Sequence, residues 1–295
     1  MKIILAHHFG ICFGVRDAIA LAHEIAQRAP LTVLGELVHN PVVREQLRRS
    51  GIEENDGIVV PSSSGIQVMI TAHGTSDARR ADLQSRGFIV TDATCPLVRH
   101  AHSQLKQLVA QGYFPVVIGL AGHVEVRGLT EDFPDSIVIS GWSDFEKIPD
   151  RPRYGIISQT TQPIKRVLEL VNEIRRKFPN SEVRFVDTVC KPTKDRQFAL
   201  QELISQTDTI VVVGGHASNN TRQLVRACRE SDRRVIHVER PEELRCSDFI
   251  NCRTVGVTAG TSTLPETVAA VVHRLEEISQ STLNPNITNE RKRMA

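Results

Sequence analysis

The chain has 295 residues, of which 40% are hydrophobic and 24% charged, a composition that excludes collagen-like and coiled-coil architectures and weighs against disorder. That length sets a prior of about two domains, or three small ones. Thirty-six basic against 34 acidic side chains leave a net charge of +2, which argues against a wide basic face for nucleic acid, so a charged partner is expected in a local site.

No apolar run reaches the ~18 to 20 residues of a membrane span. The N-terminal segment, interrupted by His7, His8 and Gly10, lacks the pattern of a secretory signal. A cytoplasmic protein with neither a membrane nor a nucleic-acid partner is expected, its six cysteines present as thiols rather than as a disulfide framework.

In chain order, short β-rich runs alternate with longer amphipathic ones. Strand 2–7 precedes helix 15–29, strand 32–35 precedes helix 41–50, and strand 68–72 precedes helix 77–86. Strand 88–91 then precedes helix 97–111, followed by strand 115–119. This alternation predicts an α/β fold with mainly parallel sheets and helices on their faces.

Cys12, Cys95 and Cys190 each follow a strand and precede a helix, the last two within Asp-x-x-Cys from Asp92 and Asp187. A polar strand end follows each at a nearly constant offset: His39 comes 27 residues after Cys12, His123 28 after Cys95, and Ser218 28 after Cys190. A second polar strand end comes later in each unit, at His73, at Thr160 and Thr161, and at Ser262. The repeat predicts three small α/β domains, 12–94, 95–189 and 190–281, in pseudo-threefold arrangement. The strands before Cys95 and Cys190 close the preceding units, so the N-terminal strand within 1–11 is expected to complete the third domain. Residues 282–295 read as a C-terminal tail.

Ligands of open α/β sheets bind outside the carboxyl ends of the strands, where all three cysteines and all the polar tips fall. Three thiols with a histidine would suit zinc; three thiols alone would suit an iron-sulfur cluster with one open iron. The uncharged donors His39, His73, His123, Ser218, Asn220 and Ser262 suit a phosphate or diphosphate. Glu125, the only acid in that ring, suits proton delivery, because burial raises a carboxyl pKa. Cys228, Cys246 and Cys252 read as packing residues, and the lack of Gly-x-Gly-x-x-Gly disfavours a dinucleotide.

The motifs Cys12-Phe-Gly-Val15, Val38-His-Asn40, Ala72-His-Gly74, Asp92-Ala-Thr-Cys-Pro-Leu-Val98 and Gly122-His-Val-Glu-Val-Arg-Gly128 extend to about Ile278. They continue with Gln159-Thr-Thr161, Thr188-Val-Cys190 with Arg196-Gln197, Ser218-Asn-Asn220, and Thr258-Ala-Gly260 with Ser262. Taken together, the chain resembles the 4-hydroxy-3-methylbut-2-enyl diphosphate reductase, or LytB, family.

The resemblance implies three α/β domains around one 4Fe-4S cluster held by Cys12, Cys95 and Cys190, with one iron open. It implies an iron-sulfur oxidoreductase that removes the hydroxyl of an allylic diphosphate. The products would be isopentenyl and dimethylallyl diphosphate, at the last step of the non-mevalonate pathway. Carried over by motif, His39, His73, His123, Ser218, Asn219, Asn220 and Ser262 would bind the substrate. Glu125 and Thr160, with His123, would hold its hydroxyl and relay protons. Electrons would come from a separate ferredoxin or flavodoxin. The chain departs from the family pattern at Ile11, Val124, Lys191, Pro192, Ala217, Asn219 and Leu264. The alternatives are a cluster-binding paralogue with another allylic diphosphate, a non-catalytic iron-sulfur sensor, and a zinc-dependent phosphate-ester hydrolase.

Overall fold

The computed structural model describes residues 1–55 and 66–283. In chain order its elements begin with β1 (Lys2–Leu5), α1 (Phe13–Ala26), β2 (Leu31–Leu34), α2 (Pro41–Arg49) and β3 (Glu53–Asn55). Then come β4 (Gln67–Ile70), α3 (Asp77–Ser85), β5 (Ile89–Asp92), α4 (Pro96–Ala110), β6 (Phe114–Ile118), α5 (Val124–Thr130) and β7 (Ile137–Ile139). The chain continues through β8 (Arg153–Ser158), α6 (Ile164–Lys177), β9 (Glu182–Phe185), α7 (Lys191–Gln206), β10 (Thr209–Val213) and α8 (Asn219–Glu230). It ends with β11 (Arg234–Val238), β12 (Thr254–Ala259) and α9 (Pro265–Leu283).

Among the described residues these strands make three four-stranded sheets, β3-β2-β4-β5, β7-β6-β8-β9 and β11-β10-β12-β1. All pairings are parallel. Each sheet repeats one plan, in which the chain enters at a central strand, moves out to a short edge strand, and crosses back to the other side. In each, the strand at the opposite edge is the one that precedes a cysteine. For the third sheet that strand is β1, paired with β12 from Lys2 opposite Thr254 to Leu5 opposite Val257.

The chain divides into two compact units. One comprises Met1–Cys12, His39–Val43 and the chain from Asp195 onward; the other comprises Phe13–Val38 and Arg44–Lys194.

The first unit holds the sheet centred on β10 and β12. All five β10 residues are buried, as expected for a parallel strand covered on both faces. Ile210 and Val212 pack with Leu200, Leu203, Leu224, Val225 and Cys228. Val211 and Val213 turn the other way, onto Val268, Val271, Leu275 and Ile278 of α9. The second unit holds the other two sheets, and β8 splits in the same manner. Ile156 faces Val167, Leu170, Val171 and Ile174, the apolar stripe of α6, whereas Ile157 faces Leu105 and Leu108 of α4.

Pro41, Pro96, Pro192 and Pro265 all fall in a first helical turn, where the ring's fixed φ suits the helix and no intrahelical N–H bond is lost.

The short edge strands β3, β7 and β11 are additions to the repeat read from sequence. Cys228 is a core residue, fully buried, and Cys252 packs against the α9 side of the sheet. The packing reading of Cys246 is corrected: it is exposed, because Phe249 is the residue that its 3-10 turn turns inward. Helix α9 continues through Leu283, and the rest of the expected tail lies outside the described residues. No helix among them is long and apolar enough to cross a membrane.

Candidate active site

The three cysteines occupy equivalent places. Cys12, Cys95 and Cys190 each immediately precede a helix, α1, α4 and α7 respectively. Each also donates its backbone amide to a carbonyl in the loop after the neighbouring strand. Cys12 N lies 3.0 Å from Thr261 O beyond β12, Cys95 N 3.0 Å from Ala72 O beyond β4, and Cys190 N 3.0 Å from Thr160 O beyond β8. Cys190 Sγ lies 3.1 Å from the Thr193 hydroxyl on the next turn. A methyl group on Gly14 would stand 2.6 Å from Cys95 Sγ, so the glycine leaves the room that this sulfur occupies.

In the second unit the loops after β6 and β8, either side of the point where strand order reverses, carry the polar residues. His123 caps α5, its Nδ1 accepting the Glu125 amide at 3.1 Å. In the neutral ring this bond assigns the proton to Nε2, which becomes a donor. The ring meets His73 edge-on, with centroids 5.5 Å apart.

Glu125 is 1% exposed. Its Oε1 accepts the Thr160 amide at 2.6 Å and its Oε2 the Thr160 hydroxyl at 3.1 Å. Burial outweighs both bonds and pushes the carboxyl up to about 7. Such a group holds a proton near neutrality and is able to release it.

In the first unit the loops after β10 and β12 meet at Asn220, whose side-chain oxygen accepts the Thr261 amide at 3.0 Å. Ser218 caps α8, Asn219 is buried in its first turn, and Ser262 is buried with a hydroxyl that has no hydrogen-bond partner among the described residues. The His39–Val43 segment packs here, its His39 carbonyl pressed so close to Gly215 that any side chain there would collide with it. The anchor is Asn40, which donates to Ser262 O at 2.8 Å.

Asn40 and Arg196 belong to the motifs read from sequence but were given no task there. Arg196 is buried and holds the carbonyl oxygens of Gly10, at 3.1 Å from Nε, and Ile11, at 3.3 Å from one terminal nitrogen. It thereby braces the turn leading into Cys12.

Cys95, Cys190, His73, His123, Glu125 and Thr160 thus lie in one unit. Cys12, His39, Ser218, Asn219, Asn220 and Ser262 lie in the other.

A sequence model of the LytB protein family matches residues 3–276. The chain is 35% identical to the 4-hydroxy-3-methylbut-2-enyl diphosphate reductase of Trichlorobacter lovleyi, covering 95% of this chain and all of that one. It is 34% identical to the enzyme of the same name from Aquifex aeolicus, covering 96% and 99%. Its fold is similar to that of the E-1-hydroxy-2-methyl-but-2-enyl-4-diphosphate reductase from Plasmodium falciparum, with a TM-score of 0.86 at 25% identity over 92% of this chain and 87% of the other. A second solved structure, of (E)-4-hydroxy-3-methyl-but-2-enyl diphosphate reductase, the terminal enzyme of the non-mevalonate pathway, is similar with a TM-score of 0.68. It is 33% identical, over 94% of this chain and 100% of that one.

Proposed function

The chain belongs to the LytB protein family, and from that premise we propose that it is an iron-sulfur oxidoreductase acting on 4-hydroxy-3-methylbut-2-enyl diphosphate. In this reaction the bond between the allylic carbon and its hydroxyl oxygen breaks. Two electrons and two protons enter; one proton forms the new C–H bond, and the other leaves with the hydroxyl as water. The products are isopentenyl and dimethylallyl diphosphate, at the end of the non-mevalonate pathway.

We assign Cys12, Cys95 and Cys190 to one 4Fe-4S cluster with one iron lacking a protein ligand. The fit rests on three thiols at helix N-termini, each with its amide fixed on a strand-end carbonyl, and on the space that Gly14 leaves at Cys95 Sγ. Bound there, such a cluster supplies one-electron transfer and a Lewis-acidic iron.

His39, His73, His123, Ser218, Asn219, Asn220 and Ser262 are assigned to the diphosphate. Support comes from the buried hydroxyl of Ser262, which has no hydrogen-bond partner among the described residues, from the Nε2–H that capping assigns to the neutral His123 ring, and from the N-terminus of α8 at Ser218. Glu125 holds the proton that departs with the hydroxyl. Thr160, bonded to it through both amide and side chain, keeps its carboxyl in one orientation, and the pair is assigned to the substrate hydroxyl. Electrons are assigned to a separate ferredoxin- or flavodoxin-type donor.

The observation that carries this reading is the buried Glu125, raised to about 7 and paired with Thr160. Mass spectrometry of an anaerobic incubation with chemical reductant tests it. The substrate is expected to give the two five-carbon diphosphates with wild type and none with Glu125→Gln. Equal product from both would overturn the assignment of Glu125.

A further inference from the structure

Three contacts seat the turn that follows His73 on helix α5, and the reductase reading uses none of them. The turn, residues 74–78, leads into α3. At Gly128 of α5 a methyl group would stand 3.2 Å from Thr75 Cα, so helix and turn approach this closely because that residue has no side chain. The Ser76 hydroxyl donates to Glu131 Oε2 at 2.8 Å. Asp132 makes the third contact with both carboxylate oxygens, accepting the Asp77 amide at 2.8 Å and the Ala78 amide at 3.1 Å.

The first amides of a helix have no partner within it. In α3 the Arg79 amide is satisfied locally, by the Ser76 hydroxyl at 3.2 Å. The two amides before it are satisfied by a carboxylate that lies 55 and 54 residues further along the chain, where it also meets the positive end of the helix dipole. The carboxylate of Asp77 itself is paired with Arg80, at 3.0 Å, and with Lys106.

This clamp lies between two residues assigned to substrate. His73 precedes the turn, its amide donating to the Thr71 hydroxyl at 3.3 Å, and His123 caps the other end of α5. The 7 residues of α5 make a strut of about 10 Å, with His123 at its start and Glu131 and Asp132 just past its end. All of these residues belong to one compact unit, and the two imidazoles meet edge-on with centroids 5.5 Å apart.

We propose that Asp132, supported by Glu131, is a positioning residue for His73: by holding the 74–78 turn on α5 it sets the separation of His73 from His123, a role that rests on the reading of both as diphosphate ligands. Loss of the clamp frees the turn from α5, and the diphosphate is then held less tightly in ground state and transition state alike. Such a change raises KM and leaves kcat in place.

A double-mutant cycle on the anaerobic, cluster-loaded enzyme tests the proposal, with KM and kcat for 4-hydroxy-3-methylbut-2-enyl diphosphate measured for wild type, Asp132→Ala, His73→Ala and the double variant. Asp132→Ala is expected to raise KM by roughly tenfold or more with kcat within about threefold of wild type, and to add less than about twofold to KM once His73 is replaced. Asp132→Asn keeps the volume and one acceptor oxygen, so its KM should fall between those of wild type and the Ala variant; it takes the place of Ala in the cycle if the latter protein does not fold. Asp144→Ala is the control, because Asp144 likewise accepts two amides, those of Ser140 at 2.8 Å and Gly141 at 3.2 Å, in a turn that carries no assigned residue. Its KM should stay at the wild-type value. A KM unchanged by loss of Asp132, raised equally by loss of Asp144, or raised by the same factor with and without His73 overturns the positioning role. A wild type without turnover, or a His73→Ala variant with the wild-type KM, overturns the reading of the site itself and the positioning role with it.

Discussion

Glu125 and Thr160 are joined twice, amide to Oε1 at 2.6 Å and hydroxyl to Oε2 at 3.1 Å. Glu125 lies in the first turn of α5, which follows β6, and Thr160 in the loop after the adjacent strand β8. A carboxyl fixed at both oxygens and withdrawn from water has one orientation and a proton affinity set by burial. This pairing is what makes the site chemically directional.

Replacing Glu125 by Gln keeps the volume and one acceptor but removes the transferable proton. Turnover is expected to fall by at least ~100-fold, the lower end of general-acid contributions, while the visible absorption of the bound cluster is retained. Turnover within a few-fold of wild type would remove Glu125 from proton delivery.

The same residue makes stability depend on pH. Its folded pKa of about 7 lies above the ordinary 4.5, so the native state binds this proton more tightly than the unfolded chain does. The stabilisation is complete below pH 4.5 and is lost as pH rises to about 7. The loss runs at up to about 1.4 kcal/mol per pH unit, roughly 3 kcal/mol in all. Urea unfolding at pH 5 and pH 7.5 checks the sign: Glu125→Gln should lack this component. An identical pH response in both proteins would contradict it.

Gly14 and Cys95 make a steric prediction. Gly14→Ala puts a methyl 2.6 Å from Cys95 Sγ, so the sulfur must move. Iron and sulfide content after anaerobic reconstitution should drop well below wild type. Gly122→Ala, where a methyl meets nothing within 4 Å, should load normally. Equal loading of both variants would separate Gly14 from the cluster.

Arg196 braces Gly10 and Ile11 ahead of Cys12. Arg196→Met removes this donor from both carbonyls, at roughly 1 to 3 kcal/mol for the buried Gly10 oxygen and less for the partly buried Ile11 oxygen. The urea midpoint should fall accordingly, and iodoacetamide should modify Cys12 faster in the cluster-free protein, with Arg196→Lys recovering part of both. A midpoint unchanged in the Met variant would show that the turn holds without Arg196.

Much of this was legible in the sequence, for identifiable reasons. Buried parallel strands such as β10 read as continuous apolar runs, and each of the three Cys-helix junctions is followed 27 or 28 residues on by a polar strand end, so the parallel α/β fold and the family were accessible. The edge strands β3 and β7 were not, being three residues long, with Glu-Glu-Asn in β3 carrying no strand signal. β11 carried a readable Arg-Val-Ile-His-Val alternation that the repeat count passed over. Contacts between distant segments, such as Asn40 with Ser262 or Arg196 with Gly10, leave no periodicity, because they depend on which loops the sheets bring side by side. Cys246 shows the reverse error: composition favours burial of cysteine, but Phe249 fills the inward position of that turn.

The central claim is that these residues reduce an allylic diphosphate. It is tested most directly by following oxidation of reduced methyl viologen under strict anaerobiosis as 4-hydroxy-3-methylbut-2-enyl diphosphate is added to the iron-reconstituted protein, with Cys190→Ala alongside. Substrate-dependent oxidation by wild type and none by the variant is the predicted result. A fully cluster-loaded wild type that leaves the viologen reduced would contradict the substrate assignment.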